Sequence, residues 1–284
     1  MRYGEPLLHK VGIIYNQDIP SARQLGEQLL KYLLRKVVSV WLHSLSEEKV
    51  SEQIQDTNVI LSIGGDGTIL RIARSASLWN VPIIGINLGT VGFLTEISAS
   101  EALERIPLFL KSKTWIDERT MLQAELNNTK NTNQKNNCLY ALNDVVISRR
   151  DIPRLIHITA TIDDTVLTTY KTDGVIVSTA TGSTAYSLAN RGPIIYPQSR
   201  DILLLPISPY MSMSHPLVLP SSSVIELNIQ AHYEGVLSID GQININLPEN
   251  SVIKIKRSPY VTRLLRVCTP HSFYRSLEQK LKEK

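Results

Sequence analysis

The sequence predicts an α/β chain in two parts, an N-terminal doubly wound α/β domain followed by a C-terminal β-rich domain. Three observations carry that expectation. Strand and helix patterns alternate up to about residue 112, the helical period nearly vanishes beyond it, and turn signals then separate short apolar runs. The expected division is 1–112, 113–262 and a C-terminal tail, 263–284, whose charge and spacing over Phe273–Lys284 suit a short helix.

In the first part, Lys10–Tyr15 reads as a strand. An amphipathic stretch follows with Leu25, Leu29, Tyr32 and Leu33 on one face, then a strand over Val37–Leu42. The rhythm continues with Asn58–Ile63, a helical pattern carrying Ile69, Ile72, Ala73 and Ala76, and Val81–Ile86. Ser98-Ala-Ser-Glu101 then has the form of a capping box. A parallel sheet covered on both sides is the expected outcome.

In the second part, strands are expected over Met121–Leu126, Ala141–Ile147, Leu155–Ile162, Val166–Tyr170, Val175–Ser178, Val224–Ile229, Val236–Ile239 and Val252–Lys256. The polar run Asn127–Asn137 reads as a hairpin tip and Asp163-Asp164 as a tight turn.

With 43% hydrophobic and 20% charged residues, the chain has a globular composition, and its 284 residues suffice to bury a core in each part. The net charge of +4 is scattered and gives no electrostatic case for nucleic acid; it suits an anionic small substrate. Cys138 and Cys268 are too few and too far apart for a disulfide framework or a zinc site, which points to a reducing cytoplasm. The start lacks an apolar leader, and Ile202–Leu205, the longest aliphatic run, is too short for a bilayer. The expectation is a soluble, unprocessed, cytoplasmic protein.

Chemistry is first signalled by Gly64-Gly65-Asp66-Gly67-Thr68, where a buried strand gives way to a helix. Glycines there permit close backbone approach, and N–H groups of the turn and helix start suit a phosphate. No G-x-x-x-x-G-K-[ST] or G-x-G-x-x-G spacing is present. A carboxylate beside phosphates is repulsive unless it binds a metal or accepts a proton from an attacking hydroxyl, and both uses belong to phosphoryl transfer. The plainer alternative is that Asp66 caps the helix.

A second loop, Asn87-Leu-Gly-Thr-Val-Gly92-Phe-Leu94, also follows a parallel strand, so the two loops should share one sheet edge. A third segment, Asp173–Ser187, runs from a strand into a cluster of hydroxyls, glycine and one tyrosine; it suits a sugar, amide or phosphate, or else a polar turn and cap. No G-x-S-x-G elbow frames Ser183 or Ser187. Asn143-Asp144 opens a strand and offers a carboxamide and a carboxylate suited to an adenine edge and a ribose diol, or marks only a turn.

Together these boxes, with Gly192-Pro-Ile194 and Asp240-Gly-Gln242, resemble the NAD kinase family in order and spacing over most of the chain. The resemblance implies an ATP- or polyphosphate-dependent kinase that phosphorylates the 2′-hydroxyl of NAD's adenosine ribose, with an active site in the interdomain cleft. It also implies a homo-oligomer, dimer or tetramer, in which the second box contacts a neighbouring subunit's ligand. Asp66 is then the general base, and the backbone of Gly64, Gly65, Gly67 and Thr68 cradles phosphates. Asn143 and Asp144 hold adenosine, and Asp173, Thr184, Ala185, Tyr186, Ser187, Leu188 and Ala189 frame the rest of the dinucleotide. Arg154, Lys171 and Gln242 line the same site, the first two against phosphate charge. ATP and NAD are the implied substrates, and Mg²⁺ is held mainly by the donor phosphates rather than by protein ligands.

The chain departs from the family pattern at Asp144, where glutamate is usual, at Ala180, where proline is usual, and at Asn190-Arg191, where residues are small. A lipid or sphingoid-base kinase shares the first box but should lack Thr181–Ser187; a non-catalytic dinucleotide sensor has no need of Asp66. His9, His43, His157, His215, His232 and His271 lack metal-ligand spacing. Trp41, Trp79 and Trp115 are expected to pack cores or domain contacts, and Glu47-Glu48 and Arg149-Arg150 to be solvated.

Overall fold

In the first unit, near-continuous Val, Ile and Leu runs form strands covered on both faces, as parallel sheets require. Here β1 (Lys10–Tyr15), β2 (Ser39–Ser44), β3 (Val59–Gly64) and β4 (Ile83–Asn87) pair in parallel in the order β2-β1-β3-β4. All residues of β3 and β4 are buried. Registers Ile13↔Leu61 and Gly64↔Asn87 place the ends of β3 and β4 side by side. The computed structural model describes residues 9–36, 39–46, 50–89, 92–111, 114–127, 138–150, 154–267, 273–274 and 277–278. Glu47-Glu48, His271 and most of the expected terminal helix lie outside these residues, as does the hairpin tip from residue 128 onward.

Connecting helices are α1 (Pro20–Leu33), α2 (Val50–Ile54), α3 (Asp66–Leu78) and α4 (Ala102–Lys111). Pro20 starts α1 where its missing N–H has no partner to lose, and Ala22, Leu25, Leu29 and Leu33 form the buried stripe. They pack with Val11, Ile13, Leu61, Ile84 and Ile86 of the sheet and Ala102, Ile106 and Phe109 of α4. Ser98 does not cap the backbone: its hydroxyl donates to Glu101 at 2.7 Å, ahead of a 3-10 turn that leads into α4. Between them β5 (Ile97–Ser98) pairs with the end of β4.

The chain divides into two compact units, Met1–Glu118 with Thr262–Lys284, and Arg119–Val261. The long strand β6 (Trp115–Asn127) crosses from the first to the second. There β7 (Cys138–Ala141), β8 (Asp144–Arg149), β9 (Ile156–Ile162), β10 (Thr165–Thr172) and β11 (Gly174–Thr179) follow. After α5 (Tyr186–Ala189) come β12 (Ile202–Ile207), β13 (Leu217–Leu219), β14 (Ile225–Ile229), β15 (Gly235–Ile239), β16 (Ile243–Leu247) and β17 (Val252–Arg266). Antiparallel β10-β9-β14 with the first half of β17 faces an antiparallel β13-β12-β11-β8-β15-β16 sheet. Val145, Ile147, Val175, Val177, Ile158, Leu227 and Ile255 belong to the core shared by both.

Several expectations are corrected. Ala141–Ile147 is two strands broken at Leu142-Asn143. The run Ile202–Leu205 is the wholly buried strand β12, and Val252–Lys256 continues to Arg266, where Leu264 pairs in parallel with Ile83. Trp79, beyond the end of α3, is 46% exposed. Asp163 and Asp164 do turn the chain tightly, both with positive φ. No helix among the described residues is long and apolar enough to cross a membrane.

Candidate active site

The end of β3 and the start of α3 position Asp66. A Cβ at Gly64 would meet Thr68 Oγ1 at 2.2 Å and displace that side chain, whereas the space above Gly65 and Gly67 is open. Thr68 N–H donates to Gly65 O at 3.0 Å, and Gly65 caps the helix with extended backbone. The open space above Gly65 and Gly67, beside the positive end of α3, gives an anion room to approach the backbone.

Asp66 does not cap its own helix. Its carboxylate reaches across to the second glycine loop, accepting from Phe93 N–H at 2.8 Å on Oδ2 and from Leu94 N–H at 3.0 Å on Oδ1. A carboxylate has about four lone-pair sites, so one remains on each oxygen. A Cβ at position 92 would lie 2.1 Å from Asp66 Oδ1, so only glycine leaves the carboxylate in this place. The second loop is itself braced, with Leu88 N–H on Gly64 O at 3.2 Å, Asn87 Nδ2 on Gly89 O at 2.7 Å and Gly92 N–H on Thr95 Oγ1 at 3.2 Å. Both loops therefore leave the same sheet edge. Thr90 and Val91 fall outside the described residues.

In the second unit, Asn143 and Asp144 sit where β8 begins, and the backbone there is held by a residue from another hairpin. Asp240 accepts three consecutive N–H groups, from Leu142 at 3.0 Å, Asn143 at 2.7 Å and Asp144 at 3.1 Å. It has φ +51° and precedes Gly241 at φ +66°, the hairpin turn between β15 and β16, with Gln242 next in the turn. Asp-Gly between two short alternating runs was the available signal. Asp144 is buried, and burial together with the Asp240 carboxylate pushes its carboxyl up to about 7. Asn143 Oδ1 and Ser187 Oγ are buried without a hydrogen-bond partner among the described residues, a pair of polar atoms that invites a ligand or water.

The hydroxyl cluster is mostly occupied with its own fold. Ser178 and Thr179 donate to Asn143 O and Leu142 O at 3.1 and 2.6 Å, Ser183 to Ala180 O at 2.7 Å, and Thr184 to Thr181 O at 3.2 Å. The first two of these bonds, with no room for a Cβ between Gly182 and Asn143 O, hold the turn that leads into α5 against Leu142 and Asn143. Tyr186 is 47% exposed. Asn190 Nδ2 caps α5 through Tyr186 O at 2.9 Å and Arg191 takes φ +63°, so this departure from the family pattern ends the short helix.

Asp173, Lys171 and Arg154 are not part of that group. Registers Gly174↔Ser148 and Ser178↔Asp144 put Asp173 at the opposite end of β11 from Asp144, roughly 16 Å away at strand spacing. Arg149, expected to be solvated, pairs with Asp173 at 3.0 Å, and Arg150 pairs with Glu234 at 2.6 Å. Arg154 lines a depression with Arg149, His232, Tyr233 and Glu249. Lys171 Nζ stands over the Tyr210 ring, 5.1 Å from its centre.

Comparison with known proteins bears on both units. Residues 11–114 match the model of the ATP-NAD kinase N-terminal domain and residues 142–267 that of the ATP-NAD kinase C-terminal domain. An NAD kinase of Dehalococcoides mccartyi is 38% identical over 274 residues, 96% of each chain. One of Chloroflexus aggregans is 35% identical, covering 97% of this chain and 99% of the relative. Among solved structures, yeast NADH kinase complexed with NADH aligns with TM-score 0.84 and 25% identity over 97% of this chain and 88% of its own. An NAD kinase from Archaeoglobus fulgidus in complex with ATP shares the fold, with TM-score 0.74 and 23% identity over 97% and 99%.

Proposed function

The chain belongs to the ATP-NAD kinase family, and from that premise we propose that it transfers the terminal phosphoryl group of ATP to the 2′-hydroxyl of NAD's adenosine ribose, giving NADP. The observation that carries the reading is the Asp66 carboxylate, aimed by two N–H groups beside a glycine turn with open space above it. In the proposed step the ribose 2′-oxygen attacks the γ-phosphorus, the bond to the β,γ-bridging oxygen breaks, and ADP leaves. The hydroxyl proton passes to a free lone pair of Asp66.

Glycine-turn and α3 N–H groups hold the donor phosphates in this reading. Asn143, Asp144 and Thr184–Ala189 with Gln242 take the adenosine and its ribose, drawing on the unpartnered Asn143 Oδ1 and Ser187 Oγ. Asp173, Lys171 and Arg154 supply a separate polar station for another part of a dinucleotide or a second subunit's ligand. Among the described residues no group of three or more His, Cys, Asp or Glu side chains is placed to hold a metal ion. In this proposal a divalent cation would be held mainly by the donor phosphates, whose charge it would neutralise. Cytoplasmic location and a homo-oligomeric state complete the proposal.

The test is ADP release with Mg-ATP and, in turn, NAD, NADH or a diacylglycerol, with the phosphorylated product identified. ADP formed in step with NADP supports the reading. ADP formed only with the lipid, or with no acceptor, overturns it, and a strong preference for NADH redirects it to the reduced dinucleotide.

A further inference from the structure

At the end of β17, Arg266 lies far along the chain from every box that signals chemistry. Its side chain is only 8% exposed, and Nη1 donates to Leu94 O at 2.9 Å, Thr95 O at 3.2 Å and Glu96 Oε2 at 3.0 Å. Nε approaches Asp117 Oδ2 at 3.4 Å, and the neighbouring Val267 N–H donates to Glu96 Oε1 at 3.0 Å. Leu94 is the hinge of the arrangement: its carbonyl rests on Arg266 while its N–H rests on Asp66 Oδ1 at 3.0 Å.

We infer that Arg266 is a positioning residue for Asp66, acting through the backbone of Leu94 and Thr95. Peptide groups are planar, so anchoring the Leu94 and Thr95 carbonyls leaves few soft dihedrals by which the Phe93 and Leu94 N–H groups can swing. Those two N–H groups aim the Asp66 carboxylate, and Gly92 N–H on Thr95 Oγ1 closes the loop on its other side. A buried cation among two carboxylates is weak as a device for stability alone. What the guanidinium adds is geometry, a rigid fork meeting two carbonyls and a carboxylate at once, which a lysine ammonium on a flexible stem does not reproduce.

The inference rests on the reading of Asp66 as the base, and a four-enzyme cycle separates the two. Wild type, Arg266→Lys, Asp66→Asn and the double variant are compared for kcat, KM for NAD and thermal melting. Arg266→Lys should lower kcat about tenfold or more with KM for NAD changed less than about twofold, and should have almost no effect on the residual rate in the Asp66→Asn background. Equal loss in both backgrounds, or a kcat within about twofold of wild type, would overturn the inference while leaving the base intact. A wild-type kcat for Asp66→Asn would sink the base reading, and the inference with it. Should Arg266→Lys fail to fold, Arg266→Gln, which keeps a donor for a carbonyl, enters the same cycle under the same criteria.

Discussion

Asp66 in the first unit and Asp240 in the second both accept hydrogen bonds from consecutive backbone N–H groups, two for the former and three for the latter. Their surroundings set them apart. Asp66 is half-buried beside glycines with open space above them, so the loop it grips works to aim the carboxylate. Asp240 is buried in a hairpin turn, so the carboxylate works to aim what it grips, the backbone that presents Asn143 and Asp144. In the proposed reading the same local chemistry makes a reagent of Asp66 and a brace of Asp240, and the open or closed space around the acid decides which.

Removing the brace should have the largest effect. Asp240→Ala leaves three N–H groups without their charged acceptor and should cost about 3 to 5 kcal/mol of stability, read from urea unfolding. Under conditions where the variant folds, KM for NAD should rise far more than kcat falls. The reverse pattern would make Asp240 part of the chemistry and erase the contrast.

Disturbing the aim of the reagent comes next. In Gly92→Ala the new Cβ would stand 2.1 Å from Asp66 Oδ1, so the carboxylate must move. A displacement of about 1 Å at a reacting group costs on the order of 10²-fold in rate, and steady-state kinetics should show it in kcat with NAD binding retained. Unchanged kcat would mean that the orientation seen here has no bearing on turnover.

A smaller effect concerns pH. Because burial and then the Asp240 charge push the Asp144 carboxyl up to about 7, the folded chain holds a proton that an unfolded chain releases near pH ~4. The associated stability is fully present below that lower value and is lost as pH rises through about 7. Replacing Asp144 by Asn removes this dependence. Between pH 5 and 8 the variant should gain roughly 2 kcal/mol relative to wild type in urea unfolding; parallel pH profiles would contradict the raised carboxyl.

The apolar runs Lys10–Tyr15 and Val59–Ile63 and the Leu25/Leu29/Leu33 stripe make the first unit legible, because apolar pattern and burial coincide there. The two glycine loops were legible as neighbours for the same reason: consecutive parallel strands end at one edge. What the sequence could not show was direction. A hydroxyl-rich segment advertises donors, but Thr179, Ser183 and Thr184 turn theirs onto nearby carbonyls. Asp240 and Arg266 act on residues about a hundred or more positions away, beyond the reach of any local pattern. Arg149 and Asp173 similarly meet only because β8 and β11 are adjacent. The Ile202–Leu205 run, too short for a bilayer, owes its apolar character to a strand buried on both faces.

The most direct test is a rapid-quench single turnover with enzyme in excess over NAD at saturating Mg-ATP, comparing wild type with Asp66→Asn after NAD affinity has been measured for both. The expected result is a transfer step slowed about 10²- to 10⁴-fold with NAD affinity essentially unchanged. A transfer step within about threefold of wild type would contradict the role given to Asp66.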